Sequence, residues 1–201
     1  MPRAGITGVS KSTPEKILFG AGTIHKNLKY DTSKNTWNFD ESIWGATSGG
    51  SSLSIEPEFT DIEADGATVL VKELKVKTGE KAEMEVNFLE LSKEIITASV
   101  IGKLAESADT LYDLIESKAD IEEGDYLDNI AFVGKTLKGK NIIAILDNAL
   151  CTSGFKSKGE NKKESVGTYT FACHADINGE LNKLPYHIYY PKAEEQKLSQ
   201  K

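Results

Sequence analysis

The chain has 201 residues, with 24 Lys plus Arg against 31 Asp plus Glu, a formal charge of −7 and 39% hydrophobic residues, enough to bury a core in one domain. Of the cations 23 are Lys and only Arg3 is Arg, which excludes a protein built for bidentate reading of phosphates or guanine edges. With the acidic balance, it also excludes one that grips nucleic acid through clustered cations. No run of about 18 apolar residues is present to span a membrane, and Met1 to Gly8 lacks the apolar stretch of a secretory signal, so synthesis in the cytoplasm is expected. Cys151 and Cys173 stand far apart and read as structural thiols rather than a disulfide framework.

Met1 to Tyr30 carries five cations and one acid, a net of plus four, and residues 1–16 are expected to form a flexible arm. Gly20, Ala21 and Gly22 read as a turn between short strands, and the run Gly45 to Ser51 as a mobile loop. A strand is predicted over Leu53 to Phe59. The next prediction is a β-hairpin from Val69 to Leu89 turning at Thr78, Gly79 and Glu80. That turn sets Val76 opposite Ala82, Leu74 opposite Met84, and Leu70 opposite Phe88 on an apolar face that Lys72 interrupts. Lys75 then faces Glu83 on the polar side. A short helix begins at Ser92 as N-cap and ends before Gly102, with Ile95 and Ala98 on its packed side.

Glu106 to Asp128 holds nine acids and one Lys, a net of minus eight, in a stretch whose periodicity fits helix and strand equally. A second hairpin follows over Tyr126 to Leu150 around Lys138 and Gly139. Its return strand, Ile142 to Leu146, is apolar on both faces and so requires a cover on each, one of them a helix or a neighbouring subunit. Strands are predicted over Val166 to Ala175 and Tyr186 to Tyr190, the last bracketed by Pro185 and Pro191 as suits an edge. Residues 1–191 read as a single domain and 192–201 as a polar tail. The basic arm and the acidic stretch also form the opposite patches that head-to-tail self-association would use.

Motifs for chemistry are sparse. Gly20 to His25 begins like a dinucleotide fingerprint, but His25 stands where the third Gly belongs. Gly45 to Ser51 has the glycines of a phosphate loop without its Lys. Cys173 and His174 are neighbours on a strand and point to opposite faces, and His25 and His187 have no ligand partner at short spacing. Glu56, Glu58, Asp61, Glu63 and Asp65 lack the alternating pattern and Gly of a calcium loop and read as a solvated edge. No nucleophile, base and acid set is legible, so no catalytic, cofactor-binding or metal residue is expected.

Several segments, taken in order, resemble a known family. They are Phe19 to Leu28, Gly45 to Gly50, Pro57 to Glu63 with Asp65 to Ala67, Lys75 to Glu80, and Leu184 to Pro191. Together they are similar to the major tail tube proteins of long-tailed phages and prophages of low-GC Gram-positive hosts, over roughly Ile17 to Pro191. The resemblance implies a mainly β fold, a β-sandwich or barrel with one flanking helix and long loops or arms. It also implies a virion tail protein without an active site, which assembles into hexameric rings stacked as a hollow tube. The implied partners are further copies of itself, the tape-measure, tail-tip and terminator proteins, and DNA in transit without specific binding; no membrane is implied. Within this picture Lys75, Glu83 and Glu85 are candidate lumen-facing residues, and Ile143, Ile145, Arg3 and Lys11 are candidate inter-subunit residues. The acidic stretch corresponds to no feature of that family. Two alternatives stand beside it: a monomeric β-sandwich that binds carbohydrate or another ligand, with Trp37 and Trp44 as its platform, and the tube of a contractile tail or type VI-like system.

Overall fold

The computed structural model describes residues 8–192. In chain order the elements are β1 (Thr23–Lys26), β2 (Tyr30–Asp31), β3 (Thr36–Trp37), α1 (Phe39–Ser42), β4 (Thr47–Asp61), β5 (Lys75–Phe88), α2 (Lys93–Val100), β6 (Gly102–Ala105), β7 (Leu114–Ser117), β8 (Leu127–Lys135), β9 (Asn141–Cys151), β10 (Gly167–Cys173) and β11 (Tyr186–Tyr189). With 44% strand and 11% helix the chain is mainly β and sandwich-like. One antiparallel sheet runs in the order β1-β8-β9-β10-β5-β4, and β11 pairs with the part of β9 that β10 leaves free. The pairs β2–β3 and β6–β7 form small separate sheets.

The inner face of the sheet carries the main core. Met84, Val86 and Phe88 alternate inward along β5, and Tyr169 and Phe171 do so on β10 beside them, all fully buried. Trp44 closes over them, its ring 5.3 Å from Phe88 and 5.2 Å from Phe171. Helix α2 lies on the same side: the Ser92 hydroxyl accepts from Ile95 N at 3.2 Å as the predicted N-cap, and Ile95 and Ala98 reach the core. Ile101 takes a left-handed φ of 50° and stops the helix before Gly102.

The hairpin β8–β9 forms around Lys138 and Gly139 as expected, with Ala131 opposite Ile145. Both faces of β9 are covered, but not by a neighbour. Leu146 belongs to the main core, whereas Ile143 and Ile145 pack with Leu28, Val133, Trp37 and Phe39 in a second cluster on the outer face. The chain's own segment 28–39 folds back across the β8–β9 half of the sheet and buries these side chains.

Two other expectations change. No hairpin turns at Thr78 to Glu80, since β5 runs straight through them and pairs along its whole length with β4, joined by the loop 62–74. Gly79 sits opposite Glu58, and the register then shifts so that Phe59 faces Lys77, leaving Thr78 as an extra residue in β5. A bulge thus uses the residues that resembled a turn, while Lys72 lies in a short 3-10 turn that leads directly into β5. The Gly45 to Ser51 run is likewise mostly strand. Gly49 and Gly50, with φ of 81° and 86°, absorb a bulge between the pairs Thr47–Phe88 and Ser51–Val86, which only residues free of a Cβ accept readily. The acidic stretch is neither one helix nor one strand: β6 and β7 pair as a small hairpin, and a 3-10 turn over Glu123–Asp125 leads into β8.

Candidate functional site

Segment 28–39 covers only half of the outer face, and the β10-β5-β4 half is left bare. Residues opposite each other in antiparallel strands share a face, so the pairing identifies its members. Glu85 stands between Ser52 and Thr170, Glu83 between Ser54 and Ala172, and Asn87 opposite Thr168, while Lys81 faces Glu56 and Gly79 faces Glu58. All alternate with inward residues such as Met84, Leu53 and Phe171. The surface consists of hydroxyls, one amide and charge: four carboxylates (Glu56, Glu58, Glu83, Glu85) against one ammonium (Lys81). Lys81 is 2.9 Å from Glu83, and that carboxylate, with Glu56 and Glu58 nearby, holds its ammonium above the ordinary lysine value. Thr168 donates to Asn87 Oδ1 at 2.6 Å and Ser54 to Glu56 at 2.6 Å, so the face is internally hydrogen-bonded.

Glu83 and Glu85 therefore share an open polar face, whereas Lys75 does not belong to it. Lys75 is opposite Asp61, which shares the inward side of β4 with Leu53 and Ile55, because the extra residue Thr78 reverses the facing of β5. Its ammonium is 3.0 Å from the Asp61 carboxylate and 5.6 Å from the Phe59 ring centre. This end of β4–β5 extends past the last pair with β10, at Glu83, and exposes Phe59, Ile62, Val69, Leu70 and Val76. On its outer side β4 pairs with no other strand among the described residues, which leaves a 15-residue free edge where Pro57 is tolerated.

Of the candidate inter-subunit residues, Ile143 and Ile145 are each only 4% exposed, buried by their own chain, and so cannot present themselves to a neighbour. Lys11 is exposed just before a 3-10 turn over Thr13–Glu15, and Arg3 lies outside the described residues, as do 193–201 of the polar tail. The free edge of β4 and the length of its hairpin were not read from the sequence. The alternation of Ser52, Ser54, Glu56 and Glu58 with Leu53 and Ile55 was the available signal.

The groups that attract chemical suspicion are tied up structurally. His25, on β1, is buried between two hydroxyls, its Nδ1 2.8 Å from Ser42 Oγ and its Nε2 2.7 Å from Thr23 Oγ1. Ser42 donates its proton to the Asn38 carbonyl at 2.8 Å, so it accepts from Nδ1–H, and Nε2 accepts from Thr23. Burial pushes this imidazole below its ordinary value, opposed by the Phe39 carbonyl. His187 pairs with Asp147 at 3.1 Å, and burial raises the Asp147 carboxyl while the imidazole opposes the shift. The Cys173 thiol is pushed up to about 12 by burial, then by the Asp147 charge, far from a reactive thiolate. Among the described residues no group of three or more His, Cys, Asp or Glu is arranged to hold a metal.

No family model matches the sequence, and no curated protein matches it.

Proposed function

We propose that the chain is a structural subunit that polymerises into stacked hexameric rings around a channel, in the manner of a phage tail tube through which DNA passes. The observation that carries this reading is the two-sided β10-β5-β4 sheet, apolar on the inside and acidic, hydroxyl-rich and uncovered on the outside, ending at the free edge of β4. Edge strands invite pairing with another chain, and a wet acidic wall repels a polyanion rather than binding it. The order of motifs that resembles tail tube proteins supports the same reading. So does the projecting β4–β5 hairpin, whose exposed Phe59, Val69 and Leu70 gain cover when another copy packs on them. Tape-measure, tail-tip and terminator proteins would be its partners in a virion tail, and no cofactor is required.

Electron microscopy and sedimentation of concentrated protein test the proposal. Rings or tubes are expected, and a monodisperse monomer at every concentration and salt overturns it. Of the two rings that a carbohydrate-binding reading would use, Trp44 is buried, while Trp37 is half-buried in T-shaped contact with Tyr30 and Tyr189 at 5.3 and 4.8 Å, which favours the assembly reading.

A further inference from the structure

A pocket of about 390 Å³, within the range of small-molecule sites, opens on the outer face where β8 and β9 approach their turn. Strand pairing places its floor. Thr23 is opposite Val133 and Lys135 opposite Asn141, and all four share the face of Ile143, which Val133 also opposes. The walls come from α1 and the residue after it, through Phe39, Asp40 and Ile43, and from Phe19, whose N donates to the Lys135 carbonyl at 2.9 Å.

The polar groups of this pocket are unmatched. Neither the Asp40 carboxylate nor the Lys135 ammonium forms an ion pair among the described residues. Asn141 Oδ1 is buried and has no donor. Thr23 spends its hydroxyl proton on His25 Nε2, 2.7 Å away, and so offers only an acceptor. Three acceptors and one ammonium therefore stand among the apolar side chains of Phe19, Phe39, Ile43 and Val133.

That combination selects a ligand. A simple anion meets Asp40, a simple cation meets Lys135, and a wholly apolar molecule leaves both charges and the Asn141 acceptor unsatisfied. A zwitterion with an apolar body satisfies every group. Lys135 and Asn141 are directly opposite each other, with Cα atoms about 4.5–5.5 Å apart in such a pair. The two polar ends of the ligand are therefore close together, as ammonium and carboxylate are in an α-amino acid.

We propose that this pocket binds a free α-amino acid with an apolar side chain. Its ammonium faces Asp40 and Asn141 Oδ1, its carboxylate faces Lys135, and its side chain lies among Phe19, Phe39 and Ile43. The site is built on β1, β8 and β9, at the other end of the strand order from the free edge of β4, and does not rest on the assembly reading.

Ligand-observed saturation-transfer NMR on the full chain tests it, since it reads binding to monomer and assembly alike. L-leucine and L-phenylalanine are expected to give a saturable signal with a Kd of about 1 mM or tighter. Phenylalanine amide, which lacks the carboxylate, N-acetylphenylalanine, which lacks the ammonium, and glycine, which lacks the apolar body, should each bind at least about tenfold more weakly. Asp40→Asn and Lys135→Gln change exposed side chains; with folding checked by circular dichroism, each should weaken L-leucine binding about tenfold. No saturable signal from either amino acid up to about 20 mM overturns the proposal. Equal binding by phenylalanine amide or N-acetylphenylalanine overturns it too, because the two charges would not be read together. Folded variants that bind L-leucine as the parent does place the ligand elsewhere and also overturn it.

Discussion

Nδ1 of His25 lies 2.8 Å from the Ser42 hydroxyl, which ties β1 to the end of α1 through a ring that is 1% exposed. The imidazole titrates below its ordinary value because burial disfavours the cation. The unfolded chain therefore binds the proton more readily, and stability falls as pH drops from about 6.5 toward the lower folded value, then levels off. Thermal melts between pH 5 and 8 are expected to show this loss in the parent. His25→Gln should be less stable at pH 7.5 but lose less on acidification, and an equal acid loss in both would refute the assignment.

Tyr169 is fully buried, and its hydroxyl has no hydrogen-bond partner among the described residues. Desolvating that group without a partner costs about 1–3 kcal/mol. Tyr169→Phe keeps the ring packed against Phe88 and Phe155 and is expected to melt at or above the parent temperature. A clear drop would mean that the hydroxyl has a partner in solution.

Gly22 has a φ of 70°, and a Cβ there would lie 2.5 Å from the Phe132 ring. Gly22→Ala should cost about 2–4 kcal/mol, the left-handed penalty added to overpacking. Gly20, with φ 92° and open space around it, supplies the control. Gly20→Ala should cost roughly 1–2 kcal/mol, the backbone part alone. Urea titration of the two variants separates steric from conformational cost.

Loop 62–74 contributes no buried side chain, and its exposed apolar groups Ile62, Val69 and Leu70 touch no core cluster. Replacing it by an Asn-Gly turn is therefore expected to leave the melting temperature within a few degrees while weakening self-association. A large loss of stability would show that the tip supports the body.

Glu83→Lys with Glu85→Lys converts four carboxylates and one ammonium on the bare face into two carboxylates and three ammoniums. The parent should not retain duplex DNA at low salt, and the double variant should bind it in a salt-sensitive way. Retention by the parent would argue against a non-adhesive wall.

Local patterns were legible wherever they matched the final environment. Ser92 capped its helix because a hydroxyl ahead of a helical turn satisfies a free N–H in any context, and Lys138–Gly139 turned because both flanking strands were apolar and short-range in sequence. Thr78 to Glu80 shows the opposite case. A Gly between two alternating runs serves equally as a turn or as part of a bulged strand, and only pairing with β4, more than twenty residues upstream, decides between them.

By itself the sequence determined the mainly β character, the acidic balance, and the nearly complete absence of Arg, because these follow from residue type and short-range alternation. The tertiary structure alone decided that segment 28–39 covers Ile143 and Ile145, that Lys75 stands on the side opposite Glu83, and that half of one sheet face stays bare. Each depends on which distant strand supplies the pairing partner, and a single inserted residue such as Thr78 reverses the outcome.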